Sequence, residues 1–483
     1  MRDAGKDRVD GASSPSVSWG MGRQVKVWAV ALLLVVLFGL FTVTSLLSGR
    51  SRSAQRTVME RWAETIGTPD DVFAQHPTRE MNPRALDLID ATLVFGVDSA
   101  PRDDKGMPRP ERASTKRFKQ FKAQNSRWLN NQLSKTSGPP DPPPEPVLAF
   151  LAEFRGDIDL VQGVLVGDAK PIWMRDLTLL YNAPIPNLLG HIDLNKLLLS
   201  DSLAALSAGD IGRAERALEA AWQLAELLAD DPTLISQFVR LDMLRAQAAA
   251  VRQMPWLDEW IPRLSTTDLR KSIEQSLFYE GWLWPQYDYG PGEKADILAR
   301  VFQTINGPFM RLGSADASER WRRTIVKLQE TPAWCRPALE RLGVRLEIPV
   351  PWWNKFGAIM ISDVDRTVER VAQAQLQFEL TRKLLELAAT RAETGNWPVG
   401  SEPWLRSTAC PLDRWIYSVE GSSASLRLDR VVETSDGGTL LAWEFSLDAD
   451  VAWPVRRKPS TVSSTSGESM MNVWPRETTS ESP

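Results

Sequence analysis

The longest unbroken apolar run in the chain is VWAVALLLVVLFGLFTVTSLL, residues 27–47, which is 21 positions without a charge. As a helix it spans roughly 31 Å, about the thickness of a bilayer's hydrocarbon core. It predicts a membrane anchor over 25–48. A cleaved signal peptide has a shorter apolar core, about 7–15 residues, and a small-residue cleavage site; neither pattern is present. Leu46-Leu47-Ser48-Gly49 is followed by Arg50, not by the cysteine of a lipoprotein box. Beyond the run the pattern turns amphipathic. Residues 54–66 read as a helix continuing from the anchor. Residues 82–93 read as a short helix, with Asn82 able to cap it and Pro83 suited to its first turn. Residues 100–112 read as a loop and 115–133 as a basic helix. The stretch 138–146, GPPDPPPEP, reads as a semi-rigid proline linker and marks a domain boundary.

The most regular patterning follows. Ile192, Leu199, Leu203 and Leu206 share one helical face, and Gly209-Asp210 ends that run. Ala214, Leu218, Ala221, Ala225 and Leu228 then recur at spacings of four and three, one stripe of a second helix. Asp231-Pro232 caps a third, with Leu234, Phe238, Leu241, Leu244, Ala248 and Val251 on one face. Turns this short make neighbouring helices antiparallel. Residues 255–360 read as irregular, with short helices and many aromatics. Residues 364–394 form a long helix in which Val364, Val368, Val371, Phe378 and Leu385 make one stripe, widened by Leu376, Leu380, Leu384 and Leu387. So broad an apolar face predicts burial, and Gly395 suits the C-terminal cap. Short strands are predicted at 415–417, 426–428 and 440–445.

The fold class expected is therefore mainly α: one N-terminal transmembrane helix, an antiparallel helical-hairpin ectodomain, and a small β-containing C-terminal element. The divisions are a disordered tail 1–24, an anchor 25–48, a membrane-proximal helical region 49–135, a linker 136–146, a helical domain 147–394, a β-rich element 395–455, and a disordered Ser/Thr-rich tail 456–483.

Residues 203–227 resemble half of a tetratricopeptide repeat. The resemblance is carried by the Gly209-Asp210 turn and by Ala214, Leu218 and Ala221, although Asp201 and Ala205 stand where apolar or aromatic residues belong. It implies closely packed helical hairpins. Residues 364–428, a long helix followed by GNWP, PLDRWIY and strands, resemble the soluble part of type II secretion pseudopilins. The whole chain resembles uncharacterised bacterial envelope proteins with a single pass and a helical ectodomain, which implies a place in the inner membrane.

Composition narrows the chemistry. Of the 483 residues 43% are hydrophobic and 24% charged, which describes a globular chain. The net charge of −4 gives no basic field for nucleic acid. With only His76, His191, Cys335 and Cys410, a zinc site is nearly excluded, and no metal or other cofactor is expected. No phosphate-binding loop and no G-x-S-x-G elbow occurs. His191-Ile192-Asp193 could be a base with its orienting carboxylate, or the start of a helix where an acid favours the exposed N–H groups. Arg155-Gly156-Asp157 spells an adhesion tripeptide in a helical context. Arg50, Arg52, Arg56 and Arg61 follow the apolar run, and Arg8, Arg23 and Lys26 precede it; the short N-terminal tail nevertheless favours an extracytoplasmic C-terminal domain. Cys335 and Cys410 are either a disulfide or two buried thiols.

Twenty tryptophans stand against five tyrosines. The segment 278–289, FYEGWLWPQYDY, concentrates aromatics among Gly281, Pro285, Gly290 and Pro291, and it predicts a half-exposed turn. Trp282, Trp284, Tyr287 and Tyr289 are the candidate binding surface; the alternative is that these rings cover the ends of neighbouring helices. The expected function is a non-enzymatic scaffold of the bacterial envelope that binds protein partners. An envelope glycan-acting enzyme using paired carboxylates and an accessory part of a secretion or pilus machine are the alternatives.

Overall fold

The computed structural model describes residues 23–101, 109–286, 297–344, 346, 350–354, 364–400, 402–429 and 444–448. Of the expected tails 1–24 and 456–483, residues 1–22 and all of the second lie outside the described residues, as do 449–455 of the expected β-rich element and the middle of the expected loop at 100–112. The helices are α1 (Arg23–Ile66), α2 (Pro69–Gln75), α3 (Pro83–Val94), α4 (Arg112–Leu133), α5 (Glu145–Glu153), α6 (Arg155–Val166), α7 (Leu188–Ser207), α8 (Ile211–Glu226), α9 (Leu234–Val251), α10 (Trp260–Thr266), α11 (Leu269–Gln286), α12 (Ile297–Gln329), α13 (Arg336–Arg341), α14 (Val364–Thr394) and α15 (Glu402–Leu405). Strands β1 (Trp415–Glu420), β2 (Ser423–Leu428) and β3 (Glu444–Asp448) form an antiparallel sheet in that order. Gly421, at φ +59°, opens the two-residue β1–β2 turn. The chain is mainly helical with a small sheet, as its periodicity predicts.

Three of those expectations are corrected. Among the described residues no helix is long and apolar enough to cross a membrane, so the transmembrane, single-pass anchor is not supported. The expectation rested on 27–47 taken alone. That run is instead the first half of the 44-residue α1. Its second half carries Arg50, Arg52, Arg56, Glu60, Arg61 and Glu64 and buries Val58 and Trp62 in the protein's own core. In the first half Trp28, Leu32, Val35 and Phe38 are exposed. Second, the proline stretch is no boundary. Phe118, Phe121, Trp128 and Leu129 of α4 share one apolar cluster with Val147, Phe150 and Leu151 of α5, and Phe121 stacks on Phe150 with centroids 4.2 Å apart.

Third, 255–360 contains two long helices. Pro285 sits in the last turn of α11 and Pro308 inside α12, where sequence rules end a helix. Gly281 is a packing residue and not a breaker. A Cβ there would lie 2.3 Å from Trp321 Cδ1 and 2.7 Å from Trp62 Cζ2, so α11 crosses α1 and α12 where only glycine fits. Trp62 Nε1 donates to Ser318 Oγ at 2.6 Å, and Ser318 Oγ donates to the Gly281 carbonyl at 2.6 Å. One polar chain thus joins three helices inside an apolar cluster.

The hairpin of α7 and α8 turns at Gly209, at φ +79°. Asp210 caps α8 by accepting from Arg213 N at 3.1 Å. Asp201 is buried because Arg213 and Gln162 meet it: Arg213 Nε donates at 2.9 Å and Gln162 Nε2 at 2.8 Å, while Arg213 Nη1 reaches Asp159 at 2.7 Å. Burial raises the Asp201 carboxyl above its usual range, and the adjacent guanidinium opposes that rise. Arg213→Ala would strand this carboxylate inside the protein. It should cost about 3–5 kcal/mol, read from the denaturation midpoint. Arg213→Met combined with Asp201→Leu should recover most of that loss, and failure to recover would show that the pair does more than neutralise itself.

Candidate functional site

The aromatic segment singled out by sequence is interior. Trp282 and Trp284 are each 1% exposed and pack with Trp62, Trp321 and Trp334 in the cluster around α11. Phe73 meets Trp282 edge-on at 5.8 Å, and the Trp284 and Trp321 ring centres are 5.0 Å apart. These rings belong to the core, and the binding surface expected of them is corrected. The segment stays helical through Gln286, so its tryptophans face α1 and α12 instead of solvent. Tyr287 and Tyr289 lie outside the described residues.

His191 and Asp193 are not brought together. Asn187 caps α7 by accepting from Gly190 N at 3.2 Å. His191, one turn in, is 1% exposed, with Nδ1 3.1 Å from the Asn187 carbonyl and Nε2 buried without a partner. Its ring lies 5.2 Å from that of Trp173. Asp193 instead pairs with Lys122 at 2.6 Å. Cys335 and Cys410 are joined by a disulfide.

The site that emerges was not marked by sequence. Between α6 and α7 the chain forms a strap, residues 167–187, laid across the turn from α8 to α9. Its first part pairs with the segment before α3. Arg79 N donates to the Arg175 carbonyl at 2.8 Å and Arg175 N returns the bond at 2.9 Å. Asn82 uses its whole side chain here: Nδ2 donates to the Lys170 carbonyl at 2.8 Å, and Oδ1 accepts from Ile172 N at 2.9 Å. Asp176 closes the next turn by accepting from Thr178 N and Oγ1. Leu180, within that turn, is the one non-glycine residue at positive φ (+52°) among the described residues, a strained conformation that persists only where surroundings enforce it.

Under the strap lies a cavity of about 240 Å3. Ile172, Trp173, Pro184, Ile185 and Leu227 give it apolar walls. Arg79, Lys170, Arg175, Glu226, Asp230 and Asp231 bring charge. Each acid is already engaged. Glu226 accepts from Arg240 Nη2 at 2.8 Å. Asp231 accepts from Thr233 N, Thr233 Oγ1 and Ser236 Oγ, which fastens the turn leading into α9. Asp230 faces Arg79 at 3.5 Å. Arg175 differs from them. It is 8% exposed; its Nη1 donates to the Asp230 carbonyl at 2.8 Å, and its Nε and Nη2 are buried without a partner. Burial, then the nearby Arg79, lowers Arg175 from its ordinary value, and Asp231 and Asp230 oppose this. Trp173 Nε1 is also buried without a partner in the same wall. Among the described residues no group of three or more His, Cys, Asp or Glu side chains is placed to hold a metal ion.

Sequence reasoning missed Arg175 and Trp173 because the strap carries no periodicity and no motif. The available signal was Trp173-Met174-Arg175 bracketed by Pro171, Pro184 and Pro186: a large ring and a cation in a connection too long for a simple turn. No family model matches the chain, and no similar curated protein or solved structure is found.

His191 gives this region a pH signature. Burial lowers its pKa from 6.5 to about 4. The unfolded chain takes up the proton below about pH 6.5, and the folded chain resists it until about 4, so stability falls as pH drops through that window. The full loss is about 3 kcal/mol. In His191→Gln, stability between pH 6.5 and 4 should fall less steeply than in wild type. Parallel curves would mean that the folded protein accommodates the imidazolium.

Proposed function

We propose that this chain is a non-enzymatic helical scaffold that binds other proteins outside the reducing cytoplasm, at a cell envelope, and that the strap cavity is part of its binding surface. The observation that carries the reading is the state of the cavity's side chains. Its carboxylates already accept hydrogen bonds or face a cation, Asp231 from Thr233 and Ser236, Glu226 from Arg240 and Asp230 beside Arg79, whereas an arginine edge and an indole N–H in its walls are buried and unmatched. A site arranged in this way is equipped to hold a group and not to transform one.

The extracytoplasmic placement rests on the Cys335–Cys410 bridge, since structural disulfides persist where the surroundings are oxidising. Closing 75 residues with it contributes about 4 kcal/mol in the chain-entropy model. Protein taken from its native compartment, denatured without reductant and alkylated, should show both cysteines protected. Two modified cysteines would overturn the placement.

Partner binding is tested with a photo-crosslinking residue at Ile172, an exposed strap position lining the cavity. In living cells it should give discrete adducts that the same residue at Leu342, exposed at the end of α13 and not lining the cavity, does not. Adducts no different from those of the control position would sink the scaffold reading.

A further inference from the structure

The basic helix of the sequence, α4, has a face that nothing in the protein uses. Over its 22 residues it carries six cations, Arg112, Lys116, Arg117, Lys119, Lys122 and Arg127, and no acid. Its rotation is fixed from inside, where Phe118, Phe121, Trp128, Leu129 and Leu133 belong to the large apolar cluster. The helical period then sorts the cations into two groups. Arg117 and Lys122 flank the buried side and are met by acids of neighbouring helices, Glu153 of α5 and Asp193 of α7, the second at 2.6 Å. Arg112, Lys116, Lys119 and Arg127 follow one another along the opposite crest, and all four are exposed. Among the described residues no acid pairs with any of them. Like charges one turn apart repel, and a cation in the first turn opposes the helix dipole. Solvated helix faces ordinarily mix the two signs. The crest therefore weakens the helix that carries it, and nothing inside the fold compensates.

Charge and length describe what would. From Arg112 to Arg127 the crest is about 22 Å long, the span of about seven residues of extended polypeptide. Ala123, exposed between Lys119 and Arg127, lowers the crest at its middle, and Gln120 and Asn130 are exposed along it with amides free to meet a backbone. The stripe is short and stands on a chain of net charge −4. A long polyanion such as a nucleic acid would run past it onto a surface of its own sign, whereas a short acidic segment would not. We propose that the crest of α4 docks an acidic segment of a partner polypeptide, with Asp or Glu side chains facing Arg112, Lys116, Lys119 and Arg127. The crest shares no residue with the strap cavity, and its occupant is independent of whatever that cavity holds.

Fluorescence anisotropy of the full chain with a labelled peptide of alternating Glu and Ser, and with its Gln–Ser counterpart, measures this attraction. The Glu peptide should bind about tenfold or more tighter than the Gln peptide, and salt should weaken it steeply as exposed charges are screened. Arg112→Gln, Lys116→Gln, Lys119→Gln and Arg127→Gln together should remove that binding. Arg216→Gln, Lys271→Gln, Lys327→Gln and Arg341→Gln together, the same loss of charge at other exposed positions, should leave it nearly unchanged. The denaturation midpoint of the α4 variant should hold or rise, because repelling charges are gone; a fall would assign the four cations to the fold and overturn the proposal. In cells, a photo-crosslinking residue at Ala123 should capture a protein through a segment rich in Asp and Glu, identified by mass spectrometry of the adduct, and the α4 variant should lose that adduct. Equal binding of the two peptides, equal losses in the two variants, or an adduct segment without acids overturns the proposal. So does displacement of the peptide by duplex DNA or by vesicles of anionic phospholipid at lower charge concentration, which assigns the crest to one of those classes. Adducts from Ala123 without any from Ile172 would fail the strap-cavity reading and leave this one standing; the opposite pair of results fails this one alone.

Discussion

A single helix that must satisfy three apolar neighbourhoods constrains the architecture. Along α14, Val364, Val368 and Val371 enter the tryptophan-rich cluster with α1, α11 and α12. Ala374, Phe378 and Leu385 enter the large cluster built by α3 to α10. Ala372, Leu376, Leu380, Leu384 and Leu387 receive the sheet. A period of 3.6 residues can point side chains in all these directions only if nearly the whole circumference is buried. The helix therefore also has to bury polar groups, and each needs a partner. Thr381 Oγ1 meets the Ala248 carbonyl at 3.1 Å, and Arg252 Nη1 donates to Thr381 at 3.0 Å. Glu379 accepts from Ser407 Oγ and from the backbone N–H groups of Thr408 and Ala409. That last set turns a buried carboxylate into the fastening for the loop that leads to β1.

What could be read in the sequence follows from this division of labour. The α7 to α9 hairpins have one apolar stripe each and short turns, so periodicity located them. The width of α14's apolar face was visible, and its burial followed, but which neighbour each side would meet was not. Gly281 and Pro285 misled for one reason: local rules treat them as interruptions, whereas in the folded protein a crossing of helices requires Gly281, and the last turn of α11 tolerates Pro285. The tryptophans of 278–289 misled similarly. A cluster of rings among turn-forming residues has the composition of a binding surface, and only the depth of the α1–α11–α12 junction shows that they are inside. The apolar run at 27–47 was judged by its length and freedom from charge, before the burial of Val58 and Trp62 on the same helix was visible.

The strap cavity was illegible for a different reason. Its walls come from Arg79 and from residues within 170–186 and 223–233, three parts of the chain related by no spacing, and its distinguishing group is identified by what it lacks. A sequence lists an arginine; it does not list which edge of that arginine remains unmatched once Asp230 and Asp231 have been drawn into other work.

The Cys335–Cys410 bridge has a mechanical consequence. It joins the start of α13 to the segment preceding β1, so α14 lies wholly inside a covalent ring. Tension applied along the chain from its two ends passes from sulfur to sulfur and bypasses the ring. The helix on which all three apolar clusters converge is thereby relieved of direct load, and a pull on the C-terminal side is carried to α13 and α12. Reduction would place α14 back in the line of force, making the protein's resistance to stretching, more than its resting shape, the property that its redox surroundings control.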